Sequence, residues 1–165
     1  MMVNTKNTRI MKELLLKLKA CNEAVEWAGD KTAEEVIATC HRGDWLLWLA
    51  KRLKIDNRPL TLAKGHCANT VRHLSRGERR TKDIDSAESD RVTKAIASAI
   101  SYGNGEISKE ELNDTDWSFY GCFFAVAVVY DADAYASYAA DIKTNHLETA
   151  DICRKYLGHL ILEKL

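Results

Sequence analysis

Cys40-His41 and His66-Cys67 are the most metal-like pairs in this sequence. Thiolate and imidazole are the usual ligands of tetrahedral zinc, yet neighbours on a helix point about 100° apart and do not close on one ion together. The five cysteines, Cys21, Cys40, Cys67, Cys122 and Cys153, are odd in number and dispersed, with no CxxC pair. They read as buried free thiols, neither a disulfide framework nor a metal site. The other histidines, His73, His146 and His159, read as helix-surface or helix-end residues. Asn104–Glu111 imitates the second half of an EF-hand loop, with Gly105 at its sixth position and Glu111 at its twelfth. Counting back puts Ile100 and Tyr102 where calcium requires oxygen ligands. Gly103 and Gly105 ending one helix, and Ser108-x-x-Glu111 capping the next, account for the same residues.

Arg42-Gly43-Asp44 has the form of an adhesion tripeptide, but that role needs an exposed extracellular loop, and here Asp44 reads as the N-cap of an apolar helix. Asp30, His41 and Asp44 sit at nearby helix turns, so acid–base chemistry would require them to converge in space. No Glu-x-x-His set, Gly-rich phosphate loop, nucleophile elbow or His-Glu-x-x-His motif accompanies them. Neither an enzyme nor a cofactor is expected.

Charge is more informative. The chain has 24 basic and 24 acidic residues, unevenly spread. Residues 1–82 carry 17 Lys and Arg against 9 Asp and Glu, and residues 83–165 the reverse excess, 7 against 15. Arg72, Arg76, Arg79, Arg80 and Lys82 form a basic run that could hold phosphate. It lacks interleaved aromatics for base stacking, and overall neutrality weakens the electrostatic term of nucleic-acid binding, so a solvated helix end and loop fits better. In the acidic half, Glu106, Glu110, Glu111, Asp114 and Asp116 cluster around a helix start. Asp131, Asp133 and Asp141 decorate an Ala-rich tract with Tyr135 and Tyr138. Carboxylates around tyrosine anchors suit a protein partner. The same acids also suit helix dipoles and solubility, and both readings stand.

The elements that would position these groups are helices. One proline, few turn signals and abundant Ala, Leu, Lys and Glu predict an all-α fold, a single-domain multi-helix bundle over 1–165, with a charged loop at 76–86 as its one plausible hinge. Helices are predicted near 8–18, 20–28, 33–40, 45–54, 59–75, 86–102, 109–113, 116–130, 131–142 and 146–163. Trp117–Tyr130 also has strand-like Phe and Val content. Three of the four tryptophans fall in Trp27–Leu53. Gly29-Asp30 ends one helix there, and Thr32 with Glu35 forms a capping box for the next. Trp45, Trp48, Leu49 and Arg52 share a face of the third, which is apolar nearly all round. Trp45 and Trp48 are therefore expected in the core, serving stability rather than binding. Met1–Lys19 lacks the apolar stretch of a signal peptide, and no apolar run reaches a membrane span, so a soluble cytoplasmic protein is expected.

Cys40-x-Arg42-Gly43-Asp44-Trp45-Leu46-Leu47-Trp48-Leu49, preceded by Glu23-Ala24-x-x-Trp27-x-Gly29-Asp30-x-Thr32-x-Glu34-Glu35, resembles a family of small helical proteins of bacteria and their phages known as immunity proteins. The Asp131–Asp141 tract is similar to the Ala/Tyr/Asp-rich tract with which members often end. The two regions keep the family's order and cover well under half of the chain. Val36 departs from the pattern, standing where many members are expected to carry an aromatic. The resemblance implies a helical protein that neutralises a toxin by binding it. The family label rests largely on gene context, so it supplies no functional residues to transfer. The expectation is a protein-binding module of this kind. The alternatives are a nucleic-acid-associated phage or mobile-element protein using Arg72–Lys82 and a self-associating structural protein.

Overall fold

The structure, a computed structural model, describes residues 11–70, 82–115, 117 and 139–165, with the helical backbone alone at 82–89, 92 and 139–142. As the composition predicts, the described residues form helices and no strand. In chain order these are α1 (Met11–Lys17), α2 (Asn22–Ala28), α3 (Ala33–Thr39), α4 (Gly43–Arg52), α5 (Asn57–Thr70), α6 (Lys82–Gly103), α7 (Lys109–Asn113) and α8 (Ala139–Lys164). No helix among them is long and apolar enough to cross a membrane.

Both predicted capping boxes form. The Thr32 hydroxyl accepts from the Glu35 amide at 3.2 Å, and the Glu35 carboxylate accepts from the Thr32 amide at 2.8 Å. Ser108 and Glu111 repeat the arrangement at 3.1 and 2.7 Å. Each box satisfies two of the amides a helix start leaves without partners. At the other ends, Lys19, Lys54 and Gly105 adopt positive φ, and each is followed by an amide that reaches back to a carbonyl of the last turn, as in Ile55 N–H to Ala50 at 3.1 Å. These are Schellman closures, two of them with lysine where glycine is favoured.

α8 is the spine. Its Cys153, Leu157 and Ile161 have no solvent exposure and join a core built from α1 to α5. A second cluster joins Ala68 of α5 to Ala95, Ile96, Ala99 and Tyr102 of α6, Leu112 of α7 and Trp117. Close backbone approach holds both together. A Cβ on Gly43 would lie 2.5 Å from the Thr149 hydroxyl and 2.6 Å from the Thr149 carbonyl carbon, so α4 and α8 touch at a point where only hydrogen fits. Gly103 meets Leu62 in the same way between α6 and α5.

Several expectations are corrected. α4 begins at Gly43, with Arg42 as its flanking residue and no side-chain cap, so Asp44 lies inside the first turn and does not N-cap it. α8 runs unbroken from Ala139, joining what the sequence divides into helices at 131–142 and 146–163. Residues 82–86 of the expected hinge are the start of α6. Cys21 is exposed, whereas Cys40, Cys67 and Cys153 are buried free thiols as expected. Cys122, the helix-or-strand segment 118–130 and the rest of the hinge, 76–81, lie outside the described residues.

Candidate functional site

The Trp27–Leu53 segment folds into α2, α3 and α4, and with the end of α1 these helices enclose a cleft of about 620 Å³. Its floor is apolar: Leu15, Val36, Leu46 and Leu49 are nearly fully buried beneath it. Its walls include Trp27, Trp45 and Trp48. All three tryptophans are only partly buried, packing against the core with one side and leaving the other at the cleft. Trp45 and Trp48, expected in the core, thus pack against it from its margin. Leu46, Leu47, Leu49 and Ala50 already fill the core side of α4, and the indoles are pushed to its margin.

The aromatic wall is a contiguous set. The ring centres of Trp27 and Trp45 are 5.8 Å apart, and His41 stands edge-on to both, 5.5 Å from each. These are the offset and edge-to-face separations that aromatic pairs prefer. His41 is thus a packing residue between two indoles, and it does not converge with Asp30 and Asp44. Asp30 is exposed and takes no part in this network.

Asp44 instead belongs to a polar knot at the end of the cleft. Arg42 donates from Nε to Asp44 Oδ1 at 2.9 Å and from Nη2 to Oδ2 at 2.7 Å. Nη1 of the same guanidinium lies 3.7 Å from Glu23. On the far side, His146 of α8 places Nδ1 3.9 Å from Asp44 Oδ1. His146 is therefore a packed residue of the α4–α8 junction and not the helix-surface histidine its sequence context suggests. Burial, reinforced by the Arg42 charge, holds its pKa below the ordinary value of 6.5, with the Asp44 carboxylate opposing. Neutral imidazole is the form this junction accommodates. Nothing in the sequence pairs His146 with Asp44; the signal exists only once α8 crosses α4.

Two further groups tie the site to the spine. Arg154 of α8 donates to the carbonyls of Ile37 and Cys40 at 3.2 and 2.7 Å, closing the C-terminal end of α3 with a cation that suits its dipole. The Cys153 thiol reaches the Gly43 carbonyl at 3.5 Å and lies 3.8 Å from Cys67 Sγ. Burial pushes the Cys40 thiol up, away from the thiolate a nucleophile or metal ligand would need. No group of three His, Cys, Asp or Glu residues among the described residues is placed to hold a metal ion.

The other candidate residues fare differently. Of the acidic partner surface, Asp114 lies at the end of α7, 3.0 Å through its amide from the Glu110 carbonyl. Asp141 lies in α8. Asp116, Asp131, Asp133, Tyr135 and Tyr138 fall outside the described residues. So do Arg72, Arg76, Arg79 and Arg80 of the basic run, of which Lys82 begins α6. The structure thus brings together the segment quoted for its motif, Trp27, Arg42, Gly43, Asp44, Trp45 and Trp48, at one cleft and junction, while Thr32 and Glu35 set the start of α3. No protein-family model, curated protein or solved structure matches this chain.

Proposed function

We propose that this protein acts by binding another protein, and that the tryptophan-walled cleft between α1 and α4 is where it does so. The observation that carries the reading is the placement of Trp27, Trp45 and Trp48, each anchored in the core on one side and open to an apolar cleft on the other. Tryptophan and arginine dominate the energetically decisive positions of protein interfaces, because a rigid indole gains a large apolar contact at small entropic cost. An apolar floor bordered by Arg42, Glu23 and Lys19 has the layout of a small interface core with a polar rim. The polar groups do not favour an enzyme: Asp44 spends both oxygens on Arg42, and His41 is held between indoles.

The finer reading is that the partner is a toxin and the protein its immunity factor. Its support is the resemblance of the Cys40–Leu49 motif and its flanks. The cleft adds to it a surface on which such a partner could be seated.

Affinity capture from host lysate, with and without nuclease, would compare the wild-type chain with Trp48→Ala. A stoichiometric protein held through nuclease treatment by the wild type and lost from a folded Trp48→Ala variant is the expected result. Co-expression of that protein with and without this chain then tests toxicity and rescue. A partner held equally by both forms would move binding away from the cleft, and a nuclease-sensitive complex would transfer the function to the basic run.

A further inference from the structure

We infer that the cleft receives a partner segment in which an apolar anchor is flanked by carboxylates. The inference rests on the protein-binding reading and adds the chemistry of the partner. Its basis is the set of cations on the tryptophans. Lys31 Nζ lies 4.7 Å from the Trp27 ring centre, Arg42 Cζ 4.9 Å from Trp45, and Arg52 Cζ 5.3 Å from Trp48. Every indole of the cleft thus carries a positive charge over its ring.

Among the described residues, only one of these charges is answered by a carboxylate. Arg42 is neutralised by the Asp44 clasp and by Glu23. Lys31 gives one hydrogen bond, to the Trp27 carbonyl at 2.6 Å, and no carboxylate lies within ion-pair distance of it among the described residues. Among the described residues, Arg52 and Lys19, the latter lining the cleft itself, likewise have no carboxylate within ion-pair distance. The acids that line the cleft are Glu23 and Asp44, both on Arg42. Among the described residues, one cation of the cleft lining, Lys19, and two held over its tryptophans, Lys31 and Arg52, are therefore without a carboxylate.

A cation held over an indole keeps most of its hydrogen-bond donors free at the ring's edge. A segment that fills the floor with an aliphatic or aromatic side chain would bring its flanking residues over those donors. Glutamate or aspartate there gains a charge-assisted hydrogen bond partly shielded from water by the indoles, whereas lysine meets like charge. An amphipathic helix with acidic residues beside its apolar stripe satisfies this geometry.

The test uses the full chain and three synthetic peptides sharing one pattern of leucine and phenylalanine anchors at helical spacing, flanked by Glu, Gln or Lys. Binding is followed through the intrinsic fluorescence of the protein's tryptophans. The Glu peptide should bind about ten-fold more tightly than the Lys peptide, and the advantage should shrink as salt is raised. The double variant Lys31→Glu, Arg52→Glu, which changes the cations over Trp27 and Trp48 and none of the floor, should reverse the order. Equal binding of the three peptides, or preference for Lys, overturns the inference while leaving the cleft as a protein-binding site. Failure of all three to bind the folded wild type overturns both. A dimer of the protein alone that Arg52→Glu dissociates would give the cleft to a second copy and also overturn it.

Discussion

Arg42 grips Asp44 at two points, Nε to Oδ1 at 2.9 Å and Nη2 to Oδ2 at 2.7 Å, although the residues are separated by a single glycine. The clasp spans the entry of α4. It takes the carboxylate that would otherwise cap the helix and lays the guanidinium over Trp45. It also turns one face of Asp44 toward His146. One short-range ion pair thereby sets the edge of the cleft and part of the α4–α8 contact.

A double-mutant cycle on Arg42→Ala and Asp44→Asn should give a coupling of about 1–2 kcal/mol in denaturant melts. That lies between an exposed pair and a buried one, as side-chain exposures of 17% and 23% suggest. A coupling near zero would mean that water screens the clasp.

Gly43→Ala should be among the most damaging single-methyl additions in the described chain. Its new Cβ meets the Thr149 hydroxyl and backbone, which cannot swing aside as a long side chain would. A loss of about 2–3 kcal/mol in chemical denaturation is expected. Unchanged stability would show that α4 and α8 slide apart without penalty.

Stability should fall on mild acidification through the histidines. Burial holds His146 below its ordinary pKa, as burial and Lys155 do for His66, so the unfolded chain binds protons more readily than the folded one. Their contribution is complete above the ordinary histidine value of 6.5 and is lost as pH falls through the lower folded values. Thermal midpoints at pH about 7.5 and about 5.5 should differ, and by less in His66→Gln, His146→Gln. An equal drop in that variant would assign the acid sensitivity to carboxylates.

Lys54→Gly should stabilise. Lys54 sits at φ 55 in a Schellman closure with its own side chain exposed, where a Cβ is a liability. A gain of about 0.5–1 kcal/mol is expected after subtracting glycine's greater freedom in the unfolded chain, and a loss would mean that the lysine stem packs usefully on α4.

Trp48→Ala should cost about 1–3 kcal/mol, below the 3–5 typical of a fully enclosed tryptophan, because one side of the indole already faces the cleft. A larger loss, measured by urea titration, would return Trp48 to the core.

Local chemistry was the legible part of this chain. Thr32 with Glu35, Ser108 with Glu111, and Gly29 past α2 behave as their sequence context dictates, because a cap depends on residues three or four apart. The break expected between helices at 131–142 and 146–163 does not occur, because α8 continues through it against α4 and α5, contacts that local sequence does not reveal. The Trp27–Leu53 segment was legible as a unit, but its open side was not. Periodicity shows that α4 is apolar nearly all round; it does not show that Leu46, Leu47 and Leu49 would win the core and leave Trp45 and Trp48 at the margin. His146 was invisible as a partner of Asp44, since the pair depends on the crossing of α8.

That crossing also governs the order in which the protein can be completed on the ribosome. The main core takes Met11 to Cys67 from one part of the chain and Cys153, Leu157 and Ile161 from the other. When α1 to α5 emerge, the surface later covered by α8 is bare, and α3 lacks the Arg154 cation that closes its last turn. The nascent first half is thus an unfinished shell with exposed apolar lining for as long as the intervening residues take to be translated. Its safety during that interval depends on the speed of synthesis and on chaperones, and a pause before codon 139 would be more harmful than one after codon 164.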